Sequence, residues 1–281
     1  METGNPLKRR LRAGDSLYGA WLGLASPSVT ELMACVGYDF LIIDQEHGAG
    51  SIGDAIHNLR ACAVGGTPAI VRVPWNDQVY LKRILDAGAT SVMIPMVENA
   101  IEAAAAVAAC RYPPQGRRGW AAPSMRCSAY GFDAAYTQSS NAEILIIVQI
   151  ESAAAAARAQ EIAAVEGVDM VLIGINDMAG SIGLLQQLDR PEVDTLVRQA
   201  EEGIRTAGKP LGSVPSARRD SAGLFADGYR LVAGAVDTGL LREAARADLA
   251  TVRAAMAAKP SARRVSRAAG TPTSRPMHGK G

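Results

Sequence analysis

Glu151 closes the apolar run ILIIVQIES (144–152), and Asp177 closes DMVLIGIND (169–177). Two further runs end on polar groups of other kinds: DFLIIDQEH (39–47) carries Asp44 and His47, and PAIVRVP (68–74) carries Arg72. A pair of carboxylates, one imidazole and one guanidinium suit a divalent-metal site that handles a small anionic substrate. Carboxylate oxygens favour hard cations such as Mg²⁺ or Mn²⁺. Tight zinc binding draws on His or Cys, and the histidines are His47, His57 and His278 only. On pattern alone, Glu151 and Asp177 serve equally well as helix N-caps or first-turn acids. His47 follows Asp44 by three residues, a spacing at which an acid can support a general acid–base; the alternative is a loop histidine without a role. Arg72 sits inside a buried strand and needs a partner there, either a substrate oxygen or a structural ion pair.

The remaining nucleophiles narrow the chemistry. The lysines are Lys8, Lys82, Lys209, Lys259 and Lys280, and none falls at the end of a strand-like run, so no Schiff-base lysine is expected. There is no GxSxG, and no cysteine lies near a histidine. What remains is metal-assisted polarisation of a carbonyl with stabilisation of an enolate, without a nucleotide cofactor.

These groups can act together only if the fold brings strand ends to one place. Strand-like segments occur at 17–23, 39–44, 69–73, 91–96, 144–150, 169–174, 210–214 and 229–234. Helical segments alternate with them near 27–36, 51–64, 77–87, 98–110, 152–165, 191–207, 216–227 and 238–257. The strands are nearly continuous apolar runs, as expected when both faces are covered. Eight βα units in about 240 residues predict a (β/α)₈ TIM barrel, an α/β fold whose strand C-termini share one rim. A doubly wound open sheet is the alternative. The stretch 111–143 is the longest without such a pattern, and a segment of that length suits a lid or interface element.

The chain has 281 residues, of which 48% are apolar, enough for one large barrel over 1–257. The last 24 residues, 258–281, take six of the 29 basic side chains and none of the 28 acidic ones. They read as a basic, disordered tail, and the body is left net negative, which argues against a nucleic-acid partner. Cys35, Cys62, Cys110 and Cys127 form no CxxC pair and read as small apolar fillers in a reducing, cytoplasmic setting. The charged N-terminus lacks the apolar core of a signal peptide. No run of about 18 apolar residues predicts a membrane span.

Several ordered blocks resemble the HpcH/HpaI-type aldolases, the metal-dependent class II pyruvate aldolases. They are GAWLGLASP (19–27), DFLIIDQEHG (39–48), VRVPWND (71–77), LDAGATSVMIPMVENAIEA (85–103), RYPPQGRRG (111–119), VQIES (148–152), GVDMVLIGINDMAGSIG (167–183) and DTGLLREAA (237–245). The resemblance implies that Glu151 and Asp177 hold the metal, Mg²⁺ or Mn²⁺ with Co²⁺ as a further candidate. It implies that Arg72 steadies the keto oxygen, that His47 is the acid–base through a metal-bound water, and that Asp44 supports it. Gln149 and the backbone around Gly174–Asn176 would contact the pyruvyl part, and Trp21 would stand at the mouth. Asp86 matches a residue that the family donates across a subunit interface, and the family pattern is a homohexamer of dimers that exchange the last helix. One departure stands out: many relatives read GP(A/S)D at the second ligand, and this chain reads GIND (174–177). Asn176 thus adds a polar side chain beside the pyruvate position, which bears on substrate preference.

The expected activity is reversible cleavage of a 4-hydroxy-2-oxo acid to pyruvate and an aldehyde. Oxaloacetate decarboxylation or a citrate-synthase-like condensation on the same site is the alternative. A non-catalytic binding protein fits poorly with the intact set Asp44, His47, Arg72, Glu151 and Asp177.

Overall fold

A computed structural model of the chain describes residues 4–258. Its elements run α1 (Pro6–Ala13), β1 (Leu17–Leu22), α2 (Pro27–Cys35), β2 (Phe40–Asp44), α3 (Ile52–Gly65), β3 (Ala69–Arg72), α4 (Gln78–Asp86), β4 (Ser91–Ile94) and α5 (Ala100–Cys110). After two 3₁₀ turns follow α6 (Tyr136–Glu143), β5 (Leu145–Ile150), α7 (Ala153–Ala156), α8 (Ala159–Ala164), β6 (Met170–Ile173) and α9 (Ile175–Ser181). The chain continues through α10 (Pro191–Thr206), β7 (Leu211–Ser213), α11 (Ser221–Ala226), β8 (Leu231–Val236) and α12 (Asp237–Ala258). The eight strands close in sequence order, all parallel, with β8 pairing β1. The fold is the (β/α)₈ barrel that the segment count predicts.

The compact unit that holds the barrel ends at Leu240; a second unit begins at Leu241 and comprises the rest of α12. The basic tail expected over 258–281 lies, apart from Ala258, outside the described residues. Among the described residues no helix is long and apolar enough to cross a membrane.

Strand parity decides what each side chain does. On β2, Leu41 and Ile43 pack outward against the helices, whereas Phe40 and Ile42 join the barrel interior. Ile70 on β3, Leu145 and Ile147 on β5, and Met170 and Leu172 on β6 share that interior. Counting by twos up each strand, the next inward positions are Asp44, Arg72, Gln149 then Glu151, and Gly174. The polar groups are therefore the top layer of an otherwise apolar stack.

Helix starts are set by side-chain caps. Ser51 and Asp54 form a capping box on α3, and Asp77 and Asn99 cap α4 and α5. Ser152, not Glu151, caps α7 by accepting the Ala155 N–H, which removes the N-cap role weighed for Glu151. Asp177 does lie in the first turn of α9.

Several elements differ from the sequence reading, among them α6 and α9, which fall where no helix was expected. Helix α1 was not foreseen, because PLKRRLRA offers only Leu7 and Leu11 as large apolar side chains. That i, i+4 pair packs with Leu17, Leu145 and Leu231 and closes the bottom of the barrel. The expected helix 152–165 breaks into α7 and α8. Strand β8 begins at Leu231, two residues later than expected, where pairing to Leu17 sets the inward register. Cys62 and Cys110 are buried fillers, and burial pushes both thiols up to about 12. Cys35, by contrast, is exposed.

Because Leu7 is fully buried in a plug held by only two large side chains, Leu7→Ala is expected to destabilise the protein by about 2–5 kcal/mol. Denaturant unfolding checks this, and a loss below about 0.5 kcal/mol would contradict the plug.

Candidate active site

At the strand C-termini lies a cavity of about 520 Å³. Its lining includes Trp21, Asp44, His47, Arg72, Gln149, Glu151, Gly174, Asn176 and Asp177. Nine of the ten site residues expected from the sequence therefore meet in one place, contributed by five strands and the segments that follow them.

Arg72 is the most constrained of them. Its Nε donates to Asp44 Oδ1 at 3.0 Å and its Nη2 to Oδ2 at 2.6 Å, a bidentate pair that is nearly dry. Nη1 lies 3.0 Å from Glu46 Oε2, and the guanidinium carbon stands 4.4 Å over the Trp21 ring. One cation is thus held by two carboxylates and an aromatic face. The structural ion pair weighed for Arg72 exists, and two guanidinium N–H groups remain for a ligand.

Asp44 meets His47 at the backbone. Its Oδ1 also accepts the backbone N–H groups of Glu46 (3.0 Å) and His47 (3.2 Å). It fixes the loop that carries His47 and does not touch the imidazole. The carboxylate near the ring belongs to Glu46, 3.8 Å from Nε2. The His47 side chain is 66% exposed, free to meet a ligand in the cavity mouth. Glu46 was missed in the sequence, although its place in DQEH next to two candidates was the available signal.

Glu151 is 3% exposed. Its Oε2 accepts the Met96 N–H at 2.8 Å, and its Oε1 accepts Gln149 Nε2 at 2.9 Å. Met96 adopts φ +51°, a left-handed conformation that a non-glycine residue rarely takes. Local strain is therefore spent on aiming one N–H at this carboxylate. Gly174 makes room, since a Cβ there would overlap Glu151 Oε1. Burial pushes the Glu151 carboxyl up to about 7, with repulsion from Glu46 and Asp177 in the same direction.

The donor set fits a hard divalent cation. Glu151 and Asp177 line the same cavity, and the buried Glu151 carboxylate has no basic side chain hydrogen-bonded to it among the described residues. No group of three or more His, Cys, Asp or Glu positioned for a metal occurs among the described residues. A cation there would draw its other ligands from substrate and water, as Mg²⁺ commonly does.

Asp86 and the 111–143 segment lie apart from this cavity within the subunit. Asp86 ends α4, and its carboxylate accepts from Arg118 Nη2 at 2.7 Å. Arg118 is 1% exposed and stacks on Tyr112, so it pins the 111–143 segment. No residue of that segment lines the cavity. Asp237, another residue missed, is buried at the end of β8 and accepts the Gly23 and Leu24 N–H groups at 3.0 Å each. It shapes the β1 rim beside Trp21.

The HpcH/HpaI aldolase/citrate lyase family model matches residues 17–244. A hydroxypyruvate/pyruvate aldolase of Delftia acidovorans is 38% identical over 254 residues, covering 90% of this chain and 94% of that protein. A 4-hydroxy-2-oxo-heptane-1,7-dioate aldolase of Shigella sonnei is 39% identical, covering 86% of this chain and 93% of that protein. The crystal structure of an HpcH/HpaI aldolase/citrate lyase family protein from Burkholderia cenocepacia superposes with a TM-score of 0.84 at 38% identity, covering 89% and 99% of the two chains.

Two outcomes are expected. Asp44→Ala leaves Arg72 short of its main counter-charge and should cost about 3–5 kcal/mol in denaturant unfolding; a change within about 0.5 kcal/mol would contradict the buried pair. For Glu151, the folded value lies above the ordinary 4.5. Its stabilising contribution is therefore present below about pH 4.5 and lost as pH rises through about 7. In metal-free protein, Glu151→Gln should accordingly raise Tm relative to the parent at about pH 8 and much less at about pH 5. An equal offset at both pH values would overturn this.

Proposed function

The chain belongs to the HpcH/HpaI aldolase/citrate lyase family, and on that premise we propose that it is a class II pyruvate aldolase. It cleaves a 4-hydroxy-2-oxo acid to pyruvate and an aldehyde, and runs the reverse addition. The observation that carries this reading is the buried, unneutralised Glu151 carboxylate beside Asp177, facing one Arg and one exposed His across a cavity of about 520 Å³.

Glu151 and Asp177 would hold a divalent cation, Mg²⁺ or Mn²⁺, which would supply Lewis-acid polarisation of the 2-oxo group. The protein's own groups do the rest. His47, exposed at the mouth, takes the C4 hydroxyl proton through a water. The C3–C4 bond then breaks, the aldehyde leaves, and the bonding pair becomes the pyruvate enolate. The free N–H groups of Arg72 donate to the enolate oxygen, and their fixed geometry costs no reorganisation as charge develops. Asp44, Glu46 and Trp21 are positioning residues for that guanidinium. Proton return to C3 yields pyruvate.

Gln149 Nε2 is committed to Glu151, and its Oε1 is buried without a donor among the described residues. Pyruvate has no hydrogen-bond donor, whereas the C3 hydroxyl of hydroxypyruvate is one. That supports hydroxypyruvate as an alternative donor substrate, in keeping with the name of the Delftia relative. The outer wall is largely apolar, from Val214, Pro215 and Val236, and Asn176 is its uncommitted amide among the described residues. It selects the aldehyde.

Self-association is part of the reading. Leu241, Leu249, Val252 and Met256 are exposed and fall on one face of α12, as suits a helix exchanged between subunits of a homohexamer. Asp86 of a neighbouring subunit would then approach His47.

Glu151→Ala and Asp177→Ala should each lower turnover of a 4-hydroxy-2-oxo acid by about 10³-fold or more. Pyruvate release coupled to lactate dehydrogenase measures this. Rates within about tenfold of the parent in either variant would remove that residue from the ligand set.

A further inference from the structure

We propose that the opposite, N-terminal end of the barrel carries a second site that binds a compact polyvalent oxyanion of the phosphate class. A cavity of about 600 Å³ opens there between α1, the α10–β7 turn and the starts of β6 and β8. It gathers Lys8, Arg12, Arg205, Lys209 and Arg230 around a single acid, Asp169. The imbalance is local, because the chain as a whole carries 29 basic and 28 acidic side chains. Like charges concentrated in a concave surface focus a positive potential and favour a multivalent anion.

The donors in this cavity are not used up. The Lys8 side chain is 5% exposed, and its Nζ donates to Ile144 O at 2.7 Å and to Asp169 Oδ2 at 2.9 Å. One of its three N–H groups remains. Lys209 Nζ donates to Val168 O at 2.6 Å, leaving two. Among the described residues no hydrogen bond or ion pair engages the guanidinium of Arg12 or of Arg230. Asp169 cannot answer them all, since its Oδ2 already accepts from Lys8 and from the Ile146 N–H. Burial and the nearby Arg12 both push the Lys8 ammonium below its ordinary value, a cost that a bound anion would offset.

The mouth is also kept open. Gly14, Gly208 and Gly228 all line or border it at positive φ, and a Cβ on any of them would meet nothing within 4 Å. The site stands at the other end of the strands from the aldolase cavity and does not depend on that assignment.

The test uses the full chain at fixed ionic strength, with inorganic phosphate and glycerol 3-phosphate as probes, NaCl as control and citrate as comparator. Calorimetric titration and Tm are read for the parent and for Arg12→Glu/Arg230→Glu, both exposed positions. The proposal expects saturable phosphate binding with a Tm rise, weakened about tenfold or more in the variant, while pyruvate formation without phosphate is unchanged. Preference for glycerol 3-phosphate over phosphate would assign an ester as the ligand. Tighter binding of citrate than of either phosphate probe, no saturable effect beyond NaCl, or equal binding by the variant would each overturn it.

Discussion

Alternation in a closed parallel barrel is the constraint on which everything else here depends. Each strand must send every second side chain inward, and the interior must be filled. In this chain the lower layers are filled by Phe40, Ile42, Ile70, Met93, Leu145, Ile147, Met170 and Leu172, and the bottom is closed by Leu7 and Leu11. The inward positions of the top layer line a cavity. Those positions carry Trp21, Asp44, Arg72, Gln149 and Glu151. The apolar stack thus acts as a rigid floor, and the chemistry occupies the next step of the same two-residue period.

Two buried charges on that floor are treated oppositely. Arg72 is neutralised almost completely, by Asp44, by Glu46 and by the Trp21 face. Its position is thereby fixed to within the geometry of a bidentate pair, and its remaining N–H groups point from a rigid base. Glu151 receives only two neutral donors, the Met96 and Gln149 N–H groups, and two further carboxylates raise its proton affinity. Evolution of a stable fold alone would favour pairing or removing such a group. Its presence, with a strained Met96 to aim a hydrogen bond at it, is understandable if a cation completes the site.

Much of this was legible in the sequence, for identifiable reasons. The strands were legible because β-branched runs such as FLII and VLI are bounded by turn residues, and their eightfold alternation with helices admits few folds. The site was legible because each polar group stands at the end of such a run. Parity was not, since runs buried on both faces hide the two-residue period. Asp44 and Arg72 could not be recognised as partners from positions 28 residues apart; only the β2–β3 register, which sets Asp44 beside Arg72, makes them so. Helix α1 was masked by its own charges, and the Asp86–Arg118 pair joins segments whose sequence gives no sign of contact.

The most direct test of the central claim is proton NMR of pyruvate in D₂O with this protein, in the presence of Mg²⁺ or Mn²⁺ and, separately, of EDTA. Loss of the methyl signal that requires both protein and metal, and that stops with EDTA, is the predicted result, because it reports enolate formation without any aldehyde. A methyl signal that persists in folded, metal-supplied protein would contradict the account of the cavity as an enolate-forming site.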